Sequence, residues 1–296
     1  MFSLAECVSW LAVTATLSLA IIILNLITII VFMKNRNLRK RSTYLMLNLA
    51  VIDMLAGVIA MESFAALVGV YSCNLWKDGL PDKLHVYFGI LEVLFPVASV
   101  TNITAISLER LHATFWPLRH RVMQKWIYRL IVASTWATAG LVSIAIVVLQ
   151  QSEELNHFFY LWNSFYLVCL LIISVSYVSI VIKVRGGAQL QHHGAASRER
   201  KLTMTLFIVT FVSILMWLPF VMSSFLFFAT NIFSSLSSSA IIRLSIALSV
   251  LYYVNSLVNP ILYSARMPDF RRALVSVFCK RPRQLNQARV IPLREM

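Results

Sequence analysis

The chain has 296 residues, 59% of them hydrophobic and only 13% charged, with a formal net charge of +14 and a mean hydropathy of +0.78. Soluble domains carry about 25% charged residues, and disordered chains are poor in the Leu, Ile, Val and Phe that abound here. Neither class fits, and 8 Gly with 8 Pro exclude a collagen-like or linker-rich chain.

A hydrocarbon core of about 30 Å takes about 20 apolar residues as a helix. In chain order such runs fall at 8–33, 43–68, 84–111, 127–149, 158–183, 202–228 and 240–263. Unbroken runs lack the alternation of barrel strands, and a helix satisfies every backbone group within its own segment. The fold class expected is an all-α membrane protein, a seven-transmembrane helix bundle over 8–263. A short outer N-terminus (1–7) precedes it; an amphipathic helix (264–279) and a basic cytoplasmic tail (280–296) follow. The first run has no positive segment ahead of it and exceeds a signal-peptide core, so it reads as retained. There is no internal repeat.

Lys and Arg number five in 34–42, five in 110–129, five in 183–201 and eight in 264–296, against Lys77, Lys83 and Arg243 in the opposite loops. Positive loops stay cytoplasmic, which places the N-terminus outside and the C-terminus inside a multi-pass protein of the plasma membrane. The net charge then reflects orientation and attraction to anionic membrane lipids, and no nucleic-acid partner is needed to explain it. Cys7, Cys73, Cys169 and Cys279 have no metal-ligand spacing. Cys7 and Cys73 share the outer, oxidising side, and spacing leaves their pairing open. Asn102-Ile-Thr104 matches a glycosylation acceptor but lies within the third run, out of an enzyme's reach.

Polar residues inside such runs are costly and point to function. They are Asn25, Asp53, Glu62, Glu92, Asn102, Glu109, Arg110, Asn255 and Asn259, of which Asn25 and Asn102 read as hydrogen-bonding partners between helices. Beyond Tyr263, the residues Phe270, Leu274, Val277 and Phe278 recur at helical spacing with Arg271 and Arg272 opposite, the pattern of an interfacial helix. Cys279 at its end is a palmitoylation candidate.

The runs carry, in order, Asn25; Leu49-Ala-Val-Ile-Asp53; Glu109-Arg110-Leu111 with Pro117-Leu118 beyond; Trp136; Tyr177; Trp217-Leu-Pro219; and Asn259-Pro260-Ile-Leu-Tyr263. This series resembles the rhodopsin-like (class A) G-protein-coupled receptors over roughly residues 15–279. The resemblance implies a cell-surface receptor, not an enzyme, that binds an extracellular ligand and activates a heterotrimeric G protein by movement of its sixth helix. Glu109 and Arg110 match the family's charged triplet, with Glu199 as the second partner of Arg110. Pro219 and Pro260 match its kinks, and Tyr177, Asn259 and Tyr263 its switching side chains. Asp53, Ser99, Asn255, Ser256 and Asn259 match its allosteric sodium pocket, a donor set that suits a hard cation. No cofactor is otherwise required.

Glu92 lies 18 residues before Arg110, five helical turns and about 27 Å, so it shares Arg110's face in the outer half of the bundle. Pro96 lacks the N–H that would bond the Glu92 carbonyl. By resemblance, Glu92 holds the position of an acid that pairs with an amine, Tyr253 orients it, and Trp217 floors the cavity. The candidate ligand set is Glu92, Pro96, Trp217, Ser249 and Tyr253.

Some positions depart from the pattern: Leu111 replaces a tyrosine, His85 the usual cysteine, Cys169 a proline and Ser213 a phenylalanine. The common outer disulfide is thereby lost, which is similar to the melanocortin, lysophospholipid, cannabinoid and adenosine receptor branch. An amine is favoured, while a lipid or short peptide ligand stays open. No lysine falls between Lys201 and Lys280, which excludes a retinal linked to the seventh helix. An ion-coupled transporter would show repeats and broken helices, and only Gly57, Gly89 and Gly140 fall within runs. A receptor-like protein that no longer signals is disfavoured by Arg110, Asn259 and Tyr263. The tail beyond Cys279 has no Ser or Thr, which disfavours phosphorylation-driven arrestin recruitment through it.

Overall fold

A computed structural model describes residues 2–35, 38, 43–75, 82–151, 155–186, 194–229 and 236–278. Among them run nine α-helices: α1 (Leu4–Lys34), α2 (Thr43–Phe64), α3 (Asp82–Phe115), α4 (Pro117–Val122), α5 (Lys125–Gln151), α6 (Leu155–Gly186), α7 (Gly194–Ala229), α8 (Ser238–Arg266) and α9 (Pro268–Phe278). A π-helical segment, Ala65–Ser72, continues α2. Six of them (α1, α2, α3, α5, α6 and α8) are long and apolar enough to cross a membrane, and α7 carries a shorter described apolar stretch, Thr210–Leu226. The architecture is the expected all-α bundle of seven long helices, with α9 as the amphipathic eighth and α4 as a short inner helix that hydropathy did not forecast.

The helices outrun the apolar runs because hydropathy marks only the hydrocarbon span. At α1 the cause is local. Ser3 Oγ accepts from the Glu6 backbone N–H (3.3 Å) and the Glu6 carboxylate accepts from the Ser3 N–H (3.1 Å), a capping box that starts the helix at Leu4. The segment 1–7, expected as a short outer N-terminus, is thus helical from Leu4 onward.

Burial differs from that of a soluble protein in what it adds to the apolar core. Asn25, Asp53, Asn102, Ser107 and Arg110 are 0% exposed, while Leu141, Val175 and Ile182 on α5 and α6 are more than half exposed. An apolar core packs inside the bundle, while many further apolar side chains stay exposed on its outer faces and the buried polar ones face one another, as a bundle in hydrocarbon requires. α3 is the central element, packing against α2, α5 and α6 and touching α7. Gly57 lets α1 and α2 approach closely; a Cβ there would come within 2.7 Å of Ile21 Cγ2, a small-residue contact typical of membrane helices. α9 docks Phe270 and Ala273 in the core, with Leu274 and Val277 packed against it. Phe278, expected on that face, is instead 65% exposed, because it ends the helix beyond the last core contact.

At the outer end the π-helical turn, with Ser72 Oγ bonded to the Leu67 carbonyl at 2.6 Å, brings Cys73 to Cys7 with Cα atoms 6.0 Å apart, and the two form a disulfide. The pairing left open by spacing is therefore made, and it ties α1 to α2. The bridge closes a loop of 66 residues, long enough for stabilisation of about 2–4 kcal/mol in the chain-entropy view. Cys7→Ser should lower the melting temperature of the detergent-solubilised protein by several degrees. A reductant should lower the wild type by the same amount and leave the variant unmoved.

Candidate functional site

The inner end is organised by one buried cation. Arg110 is 0% exposed, and its Nε and Nη2 donate to Glu109 Oε2 and Oε1 at 2.5 and 2.6 Å, a bidentate charge-assisted pair. Glu109 Oε1 also accepts the Tyr128 hydroxyl of α5 at 3.1 Å and lies 3.3 Å from His120 Nε2 of α4. The Nδ1 atoms of His120 and His112 are 3.5 Å apart. Pro117 makes α4 possible: at the first helical position its missing N–H costs nothing and its φ is preset. The residue expected to tie Arg110 to the sixth helix, Glu199, lies outside the described side chains.

Tyr177 of α6 exchanges a hydrogen bond with Thr210 of α7 at 3.1 Å and packs on Phe207. Its expected partner, Tyr263, is 1% exposed and wedged between Phe32 and Phe270, ring centroids 6.1 and 6.0 Å away. The Tyr263 hydroxyl has no hydrogen-bond partner among the described residues. The structure does not pair Tyr177 with Tyr263.

Midway, Asp53 of α2 is completely buried. Ser256 Oγ donates to its Oδ1 at 2.9 Å and Asn259 Nδ2 to its Oδ2 at 2.7 Å. Pro260 follows in the same buried turn of α8. Asp53, Ser99, Asn255 and Ser256 line a narrow cavity closed by Trp217 and Tyr252, with room for about one water-sized particle. Ser99 Oγ, Asn255 Oδ1 and Asn259 Oδ1 are buried oxygens without partners among the described residues. The five residues matched to a cation pocket are thus brought together, and their unanswered oxygens fit a small hard cation.

Beside this column, Asn48 donates to Asn102 Oδ1 (2.9 Å), Asn102 donates to the Leu45 carbonyl (3.1 Å) and Trp136 Nε1 donates to Asn48 Oδ1 (3.0 Å), joining α2, α3 and α5. Asn25 donates to the carbonyls of Ile21 and Ser256, both at 3.0 Å, joining α1 to α8. Both asparagines serve as the interhelical partners they were read to be.

At the outer end Glu92 is exposed and Pro96 is buried one turn below it. Pro96, Trp217 and Tyr253 line the cavity just described; Glu92 and the half-buried Ser249 do not. Tyr253 has Glu92, Glu62 and Ser63 around it, and packs edge-on against Phe64, centroids 5.5 Å apart. Ser63 is the hydrogen-bonding neighbour of Tyr253, and among the described residues no hydrogen bond joins the tyrosine to Glu92. Pro219 lies within α7 without breaking it. Cys279 falls outside the described residues.

Sequence reasoning missed Tyr128, His120, Asn48, Tyr166 and Tyr252. Tyr166 and Tyr252 pack against Trp217, centroids 6.0 and 6.3 Å away. Only Tyr252 gave a signal, as the neighbour of Tyr253; the others reach the site by helix packing.

The profile of the family described as 7 transmembrane receptor (rhodopsin family) matches residues 24–263. The histamine H2 receptor of Homo sapiens is 29% identical over 304 aligned positions, covering 91% of this chain and 80% of that receptor. The histamine H2 receptor of Rattus norvegicus is 29% identical over 315 positions, 93% and 82% of the two chains. The 5-hydroxytryptamine receptor 2C of Homo sapiens is 26% identical over 332 positions, 87% and 70%.

The Asn48–Asn102–Trp136 network yields a stability test. Asn102→Ala removes one bond to Asn48 and one to the Leu45 carbonyl, and should cost about 1–2 kcal/mol in thermal unfolding in detergent. Trp136→Phe removes a single bond and should cost about 0.5–1 kcal/mol. Equal losses would contradict this ordering.

Proposed function

Because the chain belongs to the rhodopsin family of seven-transmembrane receptors, we propose that it binds an extracellular cationic amine and thereby activates a heterotrimeric G protein. In this reading it lies in the plasma membrane with its N-terminus outside and its basic loops and tail in the cytoplasm. The observation that carries the amine is Glu92, an exposed carboxylate in the outer half of the same helix that holds the buried Arg110 at its inner end. A carboxylate at membrane depth is costly without a counter-charge, and an ammonium ion supplies one. The names of the similar receptors, for histamine and 5-hydroxytryptamine, support the same class. A lipid or short peptide is the second reading, favoured by His85 and Cys169 standing where the family's outer cysteine and proline usually stand.

The ligand must bind the open conformation more tightly than the closed one to shift the population. In the closed form Arg110 is held by Glu109 with support from Tyr128 and His120. Pro219 removes one helical hydrogen bond from α7, and the part of α7 on its cytoplasmic side swings about that point, carrying Thr210 away from Tyr177. Arg110, Tyr177 and Tyr263 then face an inner cavity that receives the G protein against the basic loops. A sodium ion held by Asp53, Ser99, Asn255, Ser256 and Asn259 would supply a positive charge to the Asp53 carboxylate and favour the closed form.

Two experiments test this. Cells expressing the receptor are challenged with amines, lysolipids and short peptides while G-protein activation is read. Glu92→Gln should abolish an amine response, a potency loss on the order of 100-fold or more from a lost charge pair of about 3 kcal/mol. A lipid or peptide response untouched by the change would make Glu92 structural. In membranes, replacing sodium with N-methylglucamine should raise basal G-protein activation in the wild type and leave Asp53→Asn unaffected. An equal response in both would remove sodium from this site.

A further inference from the structure

Threonines inside the long helices commonly satisfy their hydroxyls on their own backbone. Thr28, Thr101, Thr104 and Thr135 each donate to the carbonyl four residues before, at 2.8, 2.6, 2.8 and 2.9 Å. Thr210 of α7 differs. Its hydroxyl exchanges a hydrogen bond with that of Tyr177 on α6 at 3.1 Å, and the two residues are 2% and 4% exposed. A bond to a helix's own carbonyl moves with the helix; a bond to the neighbouring helix resists their separation.

Thr210 is also placed where a swing of α7 would be felt. It lies nine residues before Pro219, about 14 Å along the helix axis. An outward tilt of about 10° at Pro219 moves Thr210 by about 2 Å, which takes the bond out of reach. The adjoining contact of Tyr177 with the Phe207 ring, centroids 5.3 Å apart, is less sharply set, because aromatic pairs hold over roughly 4.5–7 Å. Arg110 and Glu109 act electrostatically on Tyr177, so the bond sits beside the buried ion pair at the inner end.

We propose that the Tyr177–Thr210 hydrogen bond is a latch that holds α7 against α6, and that the Thr210 hydroxyl thereby sets how much the protein signals without a ligand. This rests on the swing of α7 proposed above and names the contact that restrains it. It does not depend on the class of ligand.

The test measures ligand-free G-protein activation in cells, at matched surface expression. Thr210→Val keeps the side chain's shape and deletes its hydroxyl, leaving the Tyr177 hydroxyl buried without its partner in the closed form. Basal activation should rise about 3- to 10-fold, the population shift expected from one lost interhelical bond. Thr210→Ser, which restores the hydroxyl, should return it to within about twofold of wild type. Thr210→Ala serves if the valine variant fails to reach the surface. A second readout needs neither ligand nor G protein: bimane on Met204→Cys, a position of α7 that is 56% exposed, in purified protein carrying Cys279→Ser, the remaining free cysteine, Cys169, being buried. Its emission should shift in Thr210→Val and not in Thr210→Ser. Unchanged basal activation with an unshifted probe would overturn the latch. An equal rise in Thr210→Ser would overturn it too, because side-chain volume would then be the cause. A shifted probe with no signalling in any variant would retain the latch and overturn the receptor reading.

Discussion

A polar side chain inside a helix bundle in lipid has no water to turn to, so another part of the bundle must answer it. That constraint arranges this molecule along α3. Asn102 on its inward face collects partners from α2 and Glu109 from α5 and α4, Ser99 faces the cavity around Asp53, and Thr104 and Ser107 turn back onto carbonyls of α3 itself. The permanently charged guanidinium of Arg110 is the strictest case. It cannot neutralise itself by losing a proton, and its burial is tolerable because Glu109 meets it bidentately while Tyr128 and His120 hold Glu109 in turn.

The outer and inner ends are linked by a column of side chains rather than by one contact. Tyr252 stacks on Trp217, and both line the cavity containing Asp53. Asp53 is bonded to Asn259, and Tyr263 one turn on from Asn259 packs against Phe32 and Phe270 at the base of the bundle. Pro96, Pro219 and Pro260 lie inside three of the helices in this column, each removing one backbone hydrogen bond.

Other contacts stiffen the opposite side. The Cys7–Cys73 disulfide fastens α1 to the end of α2. Arg243 of α8 pairs with Glu6 at 3.0 Å and lies over the Phe2 ring at 5.2 Å. Both members of that ion pair are partly exposed, so its own contribution is small; the disulfide carries the constraint. The outer ends of α1, α2 and α8 are thereby held together.

The number of long helices, the class of fold and the residues gathered around Asp53 were legible because they rest on local rules. A helix in lipid needs a long apolar run, and any polar residue within it stands out against that background; Asp53, Glu92, Arg110 and Asn259 were found that way. Residues whose chemistry is ordinary for their position gave no such signal. Tyr128 is one aromatic among many until α5 packs against α3 and places its hydroxyl on Glu109. Tyr166 and Tyr252 are two aromatics among many until helix packing brings both against Trp217. His120 depends on a six-residue helix whose start is set by Pro117 and whose docking is set by Glu109. Cys7 and Cys73 are 66 residues apart, and their pairing depends on a π-helical turn that hydropathy does not reveal. The chain by itself determined which segments enter the membrane and which residues could not face lipid, because both follow from transfer energies of single residues. Which of those residues answer one another was decided only by tertiary packing, because a partner's distance depends on helix rotation and crossing, to which single-residue energies are blind.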